Sequence, residues 1–304
     1  MNEFLNEIRE LTILSLFSDD ELMDILVLKG GNALELSYEL NSRASMDIDV
    51  SMSKDFSDFG LTVKDVEEKL EYQLNQIFSE KDYTVFDIKL EERPKQKRTV
   101  DDLNWGGYVV KFKVIDSSKY EHIGEDNIDK LRRSSLSVTE TDKKVVQVDI
   151  SKYEFTQPSE EREFHDYIIK VYSPRMIIFE KLRAICQQMT EYTDIVKTSQ
   201  SPRPRDFYDI YTVKENLEPS LNLNDSDNQQ MVKDFFKIKK VPLHLIEKIK
   251  DPLVRDFHES GFASLKDTVI DNDNLMPFEF YYDYVVQLVD ELKPVWSYAS
   301  NSSG

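Results

Sequence analysis

The stretch that most constrains this chain is residues 26–52, LVLKGGNALELSYELNSRASMDIDVSM. A short apolar run, 26–28, leads through Lys29 into the adjacent glycines Gly30 and Gly31. A helical pattern follows, with Ala33, Leu34, Leu36 and Leu40 at its apolar positions. After a polar break over 41–45, Asp47-Ile48-Asp49-Val50 alternates charged and apolar residues with the period of a strand. Residues i and i+2 of a strand share a face, so Asp47 and Asp49 project together while Ile48 and Val50 enter the core. Two adjacent carboxylates repel unless a cation lies between them. Oxygen-only ligands of this kind suit Mg²⁺, which is held by one or two carboxylates together with substrate phosphates. Glycines at a helix start let backbone N–H groups approach a phosphate. Each half of this pattern also has a plain structural reading, as a solvated strand face or a simple turn. The order strand, Gly-Gly, helix, Asp-x-Asp strand is far more specific than either half.

That order is the signature of the polymerase-β-like nucleotidyltransferase superfamily. More narrowly, Lys29-Gly30-Gly31-Asn32-Ala33-Leu34 followed by Arg43-Ala44-Ser45-Met46-Asp47-Ile48-Asp49 resembles the AbiEii/AbiGii toxin family. Asn32 stands where Thr or Ser is usual in that family. The resemblance implies that Asp47 and Asp49 hold Mg²⁺, and that Lys29, Gly30, Gly31, Asn32 and Ser45 contact the nucleotide. The apolar run 145–150 reads as a buried strand carrying Asp149 near its end, where the superfamily places a third carboxylate. Such an acid adds a metal ligand or takes the proton of an attacking hydroxyl; otherwise it is a strand-end turn residue.

Further along, Ser173-Pro174 starts a helix over 174–188, with Ser at the N-cap and Pro in the first turn. Met176, Ile177, Phe179, Leu182, Ile185 and Cys186 form its apolar stripe, and Glu180, Lys181 and Arg183 lie off it. After a polar linker over 190–204 comes Arg205-Asp206-Phe207-Tyr208-Asp209. This pairing again resembles the AbiEii family, which joins a Glu-Lys-Leu helix to an Arg-Asp-x-Tyr-Asp helix start. The resemblance implies that Lys181 contacts the triphosphate and that Asp206 or Asp209 completes the site. Read from the residues alone, Lys181 is a solvated helix lysine, Asp206 a helix cap, and Asp209 a partner for Arg205 four residues before it.

The remaining elements are read from periodicity. Helices are expected over 2–17, 62–78, 231–240, 242–249, 252–258 and 278–292, and strands over 83–90, 108–115 and 167–171. Ser18 and Glu21 form a capping box for a short helix. Residues 117–140, 190–204 and 215–228 read as polar connections and 297–304 as a frayed tail. The basic run 93–98, RPKQKR, reads as a hairpin loop. The aromatics of 278–284 read as core.

The expected fold is α+β: a small mixed-sheet nucleotidyltransferase core over 1–172, followed by a mainly helical domain over 173–304, with the nucleotide in a cleft between them. One cysteine, Cys186, excludes an intrachain disulfide and a cysteine metal cluster. No histidine pair has metal-ligand spacing, and no apolar run approaches membrane-spanning length, so the expectation is a cytoplasmic protein with no membrane contact. Walker and nucleophile-elbow motifs are absent.

The reaction expected from the resemblance is transfer of a nucleoside monophosphate from an NTP to an acceptor, with tRNA or another RNA first in line. The biological role so implied is the toxin of a type IV toxin–antitoxin, phage-abortive pair, checked by a cognate antitoxin. The net charge of −19 excludes a general nucleic-acid coating protein while allowing one local basic groove. It also keeps two alternatives open: a nucleotidyltransferase acting on a protein or a small molecule such as a cationic antibiotic, and a binding module with a decayed site.

Overall fold

A computed structural model describes residues 3–40, 47–94, 105–139, 142–196, 198–269 and 274–300. The chain forms two compact units, Met1–Ser37 with Ser45–Val171, and Tyr38–Ala44 with Tyr172–Gly304.

The first unit opens with α1 (Glu3–Phe17), buried along most of its length, and the short α2 (Asp20–Ile25). The cap of α2 is Asp19 rather than the expected Ser18: Asp19 Oδ1 accepts from the N–H groups of Glu21 and Leu22, both at 3.1 Å. Ser18 instead turns its hydroxyl to Gln73 Oε1, 3.0 Å away. Next come β1 (Val27–Lys29), α3 (Gly30–Tyr38) and β2 (Ile48–Ser51). Helix α4 (Val63–Ser79) starts with a capping box in which Thr62 and Asp65 satisfy each other's backbone N–H groups, and its apolar residues Val66, Leu70, Leu74 and Ile77 are all buried. It packs between α1 and β3 (Tyr83–Arg93). Strand β4 (Gly107–Asp116) is antiparallel to β3. Of the basic run, 95–98 lies outside the described residues.

The polar segment 117–140 holds two unexpected short helices, α5 (Ser117–Ile123) and α6 (Ile128–Ser134), whose Ile123 and Leu131 pack on Phe86 and Ile115. Then follow β5 (Val146–Ser151), β6 (Ser159–Phe164) and β7 (Tyr167–Tyr172). Strand β6, SEEREF, has no apolar alternation to reveal it. It forms through the hairpin to β7, whose turn residues His165 and Asp166 take φ of 46° and 65°. Its charged side chains suit its place at one edge of the sheet.

The seven strands run in the order β3-β4-β5-β2-β1-β7-β6. Strand β1 is antiparallel to β2 and parallel to β7, while β2 is parallel to β5. The three short inner strands therefore come from widely separated parts of the chain.

Register between β3 and β4 shifts between Phe86 and Lys89, where Asp87 adopts φ of 54°. The Arg132 guanidinium of α6 grips the Asp87 carboxylate with two bonds of 2.9 Å. Those bonds hold the Asp87 carboxyl below its ordinary range. A depressed folded-state value stabilises the fold above the unfolded pKa and loses that contribution as pH falls through the folded value. Urea titrations of wild type should therefore show a steeper loss of stability below about pH 4 than Asp87→Asn shows. Parallel curves for the two proteins would remove Asp87 from the acid response.

The second unit is helical: α7 (Pro174–Cys186), α8 (Thr190–Val196), α9 (Pro204–Asn216), α10 (Ser226–Ile238), α11 (Leu245–Lys248), α12 (Pro252–Glu259), α13 (Ala263–Lys266), α14 (Phe278–Glu291) and α15 (Lys293–Ser300). Helix α7 packs against α9, α10 and α11, and α9 against α14. The expected linker over 190–204 contains α8. Its propensity is poor, but Tyr192 is fully buried and donates its hydroxyl to the Lys239 carbonyl at 2.8 Å. Residues 297–300 belong to α15 rather than to a tail. Of the aromatics of α14, Phe278, Tyr281 and Tyr282 are core while Phe280 is exposed: Phe278 meets Phe207 at 5.2 Å between centroids, and Tyr281 meets Tyr208 at 5.3 Å. No helix among the described residues is long and apolar enough to cross a membrane.

Candidate active site

The site in the first unit is built on the inner strands. Lys29 of β1 pairs in register with Asp49 of β2, which pairs in register with Asp149 of β5. Residues directly opposite one another on neighbouring strands share a face. A row of cation, carboxylate and carboxylate thus crosses three adjacent strands. One residue further on, Leu28, Val50 and Ile150 form the matching row on the other face, all buried. The alternation that places Ile48 and Val50 in the core is what leaves Asp49 on the polar face.

Lys29 is buried and its Nζ donates to Ser151 Oγ at 3.3 Å. Asp149 Oδ2 accepts from Gln147 Nε2 at 3.0 Å. Neither Ser151 nor Gln147 was singled out from the sequence. Both are legible there as the i±2 neighbours of Asp149, and so its companions on one strand face. Asp47 is exposed and lies just before β2. Arg43 and Ser45 fall outside the described residues.

Gly30 opens α3 with φ of 68°, which an L side chain adopts only under strain. A Cβ placed there would lie 3.4 Å from Asp49 Oδ2, so the glycine backbone sits against this carboxylate. Gly31 and Asn32 continue the first turn. The Asn32 side chain is fully buried; its Nδ2 donates to the Asp47 carbonyl at 2.6 Å. It is thus committed to the backbone that delivers Asp47.

The donor set suits a hard divalent cation. Two carboxylates facing each other across a strand pair destabilise the sheet unless a positive charge offsets them. Mg²⁺ needs only one or two protein carboxylates, taking its other ligands from water and substrate phosphates. Among the described residues, no three His, Cys, Asp or Glu side chains converge to enclose a metal by themselves.

In the second unit, Lys181 of α7 is 5% exposed, not the off-stripe surface lysine expected from its helical position. Its Nζ lies 2.7 Å from Asp209 Oδ2 and 3.2 Å from Asp206 Oδ1. The two aspartates, three residues apart on α9, present both carboxylates to α7, and both are buried. Asp209 therefore pairs with Lys181 rather than with Arg205. Arg183 is also buried, lying over the Phe235 ring and donating to the Phe235 carbonyl at 3.4 Å. Helix α7 is enclosed by three neighbours, so it buries more than one stripe.

A further polar cluster went unnoticed in the sequence. Lys152 is buried and bonds Asp55 Oδ2 at 2.5 Å and Glu92 Oε1 at 2.9 Å, while the Tyr108 hydroxyl donates to Asp55 Oδ1 at 2.6 Å. It ties the end of β5 to the loop after β2. Burial raises the Cys186 thiol far above its ordinary value, leaving it a core residue. His258 is also core: burial, reinforced by Arg203, lowers its pKa to about 4.

The family described as "Nucleotidyl transferase AbiEii toxin, Type IV TA system" matches residues 12–284. The protein is accordingly a nucleotidyltransferase. More narrowly, the chain belongs to the AbiEii toxin family. Among solved structures, MenT4, a nucleotidyltransferase toxin from Mycobacterium tuberculosis, aligns at 13% identity and a TM-score of 0.40, covering 82% of this chain and 65% of that one. The chain thus spans just under two thirds of MenT4. An antigenic nucleotidyltransferase-like protein from Paracoccidioides brasiliensis aligns at 15% identity and a TM-score of 0.37, covering 79% of this chain and 94% of that one. At this level neither likeness assigns a residue. No curated protein sequence matches the chain.

Proposed function

We propose that this toxin transfers a nucleoside monophosphate from an NTP to the terminal hydroxyl of an RNA, with tRNA as the first acceptor. The reading rests on the in-register row Lys29–Asp49–Asp149 beside the Gly30-Gly31 start of α3. Nucleotidyl transfer demands positioning and charge stabilisation more than covalent chemistry, and this row supplies both signs of charge.

Asp47 and Asp49 would hold Mg²⁺, with Asp149 as a third ligand or as the base. When bound, the ion offsets charge on the phosphates and polarises the reacting phosphorus centre. Backbone N–H groups of Gly30 and Gly31 face the phosphates at the positive end of α3, and Lys29 adds a point charge. The acceptor hydroxyl oxygen forms a bond to the α-phosphorus. The bond from that phosphorus to the bridging oxygen breaks, pyrophosphate leaves, and the hydroxyl proton passes to the Asp149 carboxylate. In the second unit, the family resemblance gives Lys181, held by Asp206 and Asp209, a charge-countering role. The role is that of a type IV toxin in abortive phage defence within the cytoplasm.

The net charge of −19 favours one second reading, a cationic small molecule or basic protein as acceptor. The test incubates the protein with Mg²⁺, each α-labelled NTP and bulk cellular RNA, beside an Asp47→Ala/Asp49→Ala control. Label on a tRNA-sized band, lost in the control, is the expected result and names the nucleotide. Label in the protein or small-molecule fraction would transfer the chemistry to the second reading. Binding should be metal-dependent as well: at an NTP concentration a hundred times Kd, wild type should gain about 2.7 kcal/mol of stability that the control lacks.

A further inference from the structure

Asn32 occupies a position where a phosphate-contacting side chain is expected, yet its hydrogen bonds point elsewhere. Its carboxamide is fully buried. One end faces the Asp47 carbonyl oxygen at 2.6 Å. Only a donor tolerates a carbonyl at that distance, so this end is the NH₂ group and the other is the carbonyl Oδ1. Oδ1 is buried and accepts no hydrogen bond from the described residues. A phosphate oxygen, itself an acceptor, gains nothing from meeting Oδ1. One N–H of the donor end is held by Asp47, full burial withdraws the other from a ligand, and the acceptor end repels phosphate.

We propose that Asn32 is a positioning residue for the divalent cation, acting through Asp47, and not a phosphate ligand. Asn32 anchors the carbonyl of Asp47 to the first turn of α3. That turn also carries Gly30, whose backbone lies against Asp49. One helix start thereby sets the placement of both strand carboxylates. Outer partners of this kind orient metal ligands, and removing them typically weakens metal affinity by about 10–100-fold. The inference rests on the proposed assignment of the cation to Asp47 and Asp49.

The experiment measures Mn²⁺ binding to the nucleotide-free protein by the loss of its free-ion electron paramagnetic resonance signal. Tripolyphosphate binding without divalent metal is measured in parallel by calorimetry. Wild type, Asn32→Ala, Asn32→Ser and Asp49→Asn are compared, each first checked for a cooperative thermal transition. Asn32→Ser keeps a small polar side chain that packs at a helix start, but its hydroxyl is too short to span to the Asp47 carbonyl. Both Asn32 variants should raise the Mn²⁺ Kd by about tenfold or more. Their tripolyphosphate affinity should stay within about twofold of wild type, since the fully buried carboxamide presents no N–H to phosphate.

Unchanged Mn²⁺ affinity in both Asn32 variants, with Asp49→Asn impaired, would overturn the proposal while leaving the metal assignment standing. A fall in tripolyphosphate affinity with Mn²⁺ binding intact would overturn it in favour of a phosphate contact. If wild type binds no Mn²⁺, or Asp49→Asn binds as well as wild type, the metal assignment itself fails and the inference fails with it.

Discussion

Asp49→Asn is expected to lower nucleotidyl transfer by at least about a thousandfold, because a metal-based electrostatic contribution of several kcal/mol is lost at about 1.4 kcal/mol per tenfold. The fold should scarcely register the change. Asp49 lies in register with both Asp149 and Lys29, so the substitution removes one facing pair of like charges and one of opposite charges. Such pairs shift stability by about 0.2–1 kcal/mol, which bounds the change expected in urea unfolding. Activity and stability therefore separate at this position. Retained transfer, or a loss of transfer matched by a large loss of stability, would count against the site. The shape-preserving amide also keeps the carboxylate's place against Gly30, whose missing side chain leaves room there.

Lys181→Met should differ in carrying a large effect on stability. The variant keeps the side chain's bulk and removes its charge, leaving Asp206 and Asp209 buried together. Breaking a buried ion pair from one side costs about 3–5 kcal/mol, and here one cation serves two anions. Adding Asp206→Asn and Asp209→Asn to Lys181→Met should restore much of the loss, since no uncompensated carboxylate then remains. Asp206→Asn alone should be milder, because the shorter contact from Lys181 to Asp209, 2.7 Å, persists. Chemical denaturation of the three variants measures this coupling directly. A loss under about 1 kcal/mol for Lys181→Met would place the triad among weak surface pairs.

These two sites differ in how far the sequence exposes them. Asp47 and Asp49 declare themselves because strand period and charge alternation coincide, and the face they share follows from geometry alone. Asp149 is legible as an acid near the end of an apolar strand. Its pairing with Asp49 is not, because register between strands a hundred residues apart is set by tertiary packing rather than local pattern. Lys181 shows the opposite limit. A helical projection counts it as polar and assigns it to solvent, but three helices surround α7 and two aspartates on α9 meet it there. The helix start that carries those aspartates is plain in the sequence; its partner is not. Strand β6 is hidden for another reason, since an edge strand rich in Glu lacks apolar alternation. The position of Asn32 in the motif does not disclose the bond from its carboxamide to the Asp47 carbonyl, which only tertiary structure sets.

The row across β1, β2 and β5 also has a temporal meaning. Lys29 and Asp49 are synthesised early, but the strand bearing Asp149 and Ser151 joins them only after about a hundred further residues. Closing so long a loop is an entropically costly, late event in forming a sheet. A ribosome-bound chain that has not yet released β5 holds two of the row's charged residues without the third. The site proposed above is thus incomplete until β5 has joined the sheet.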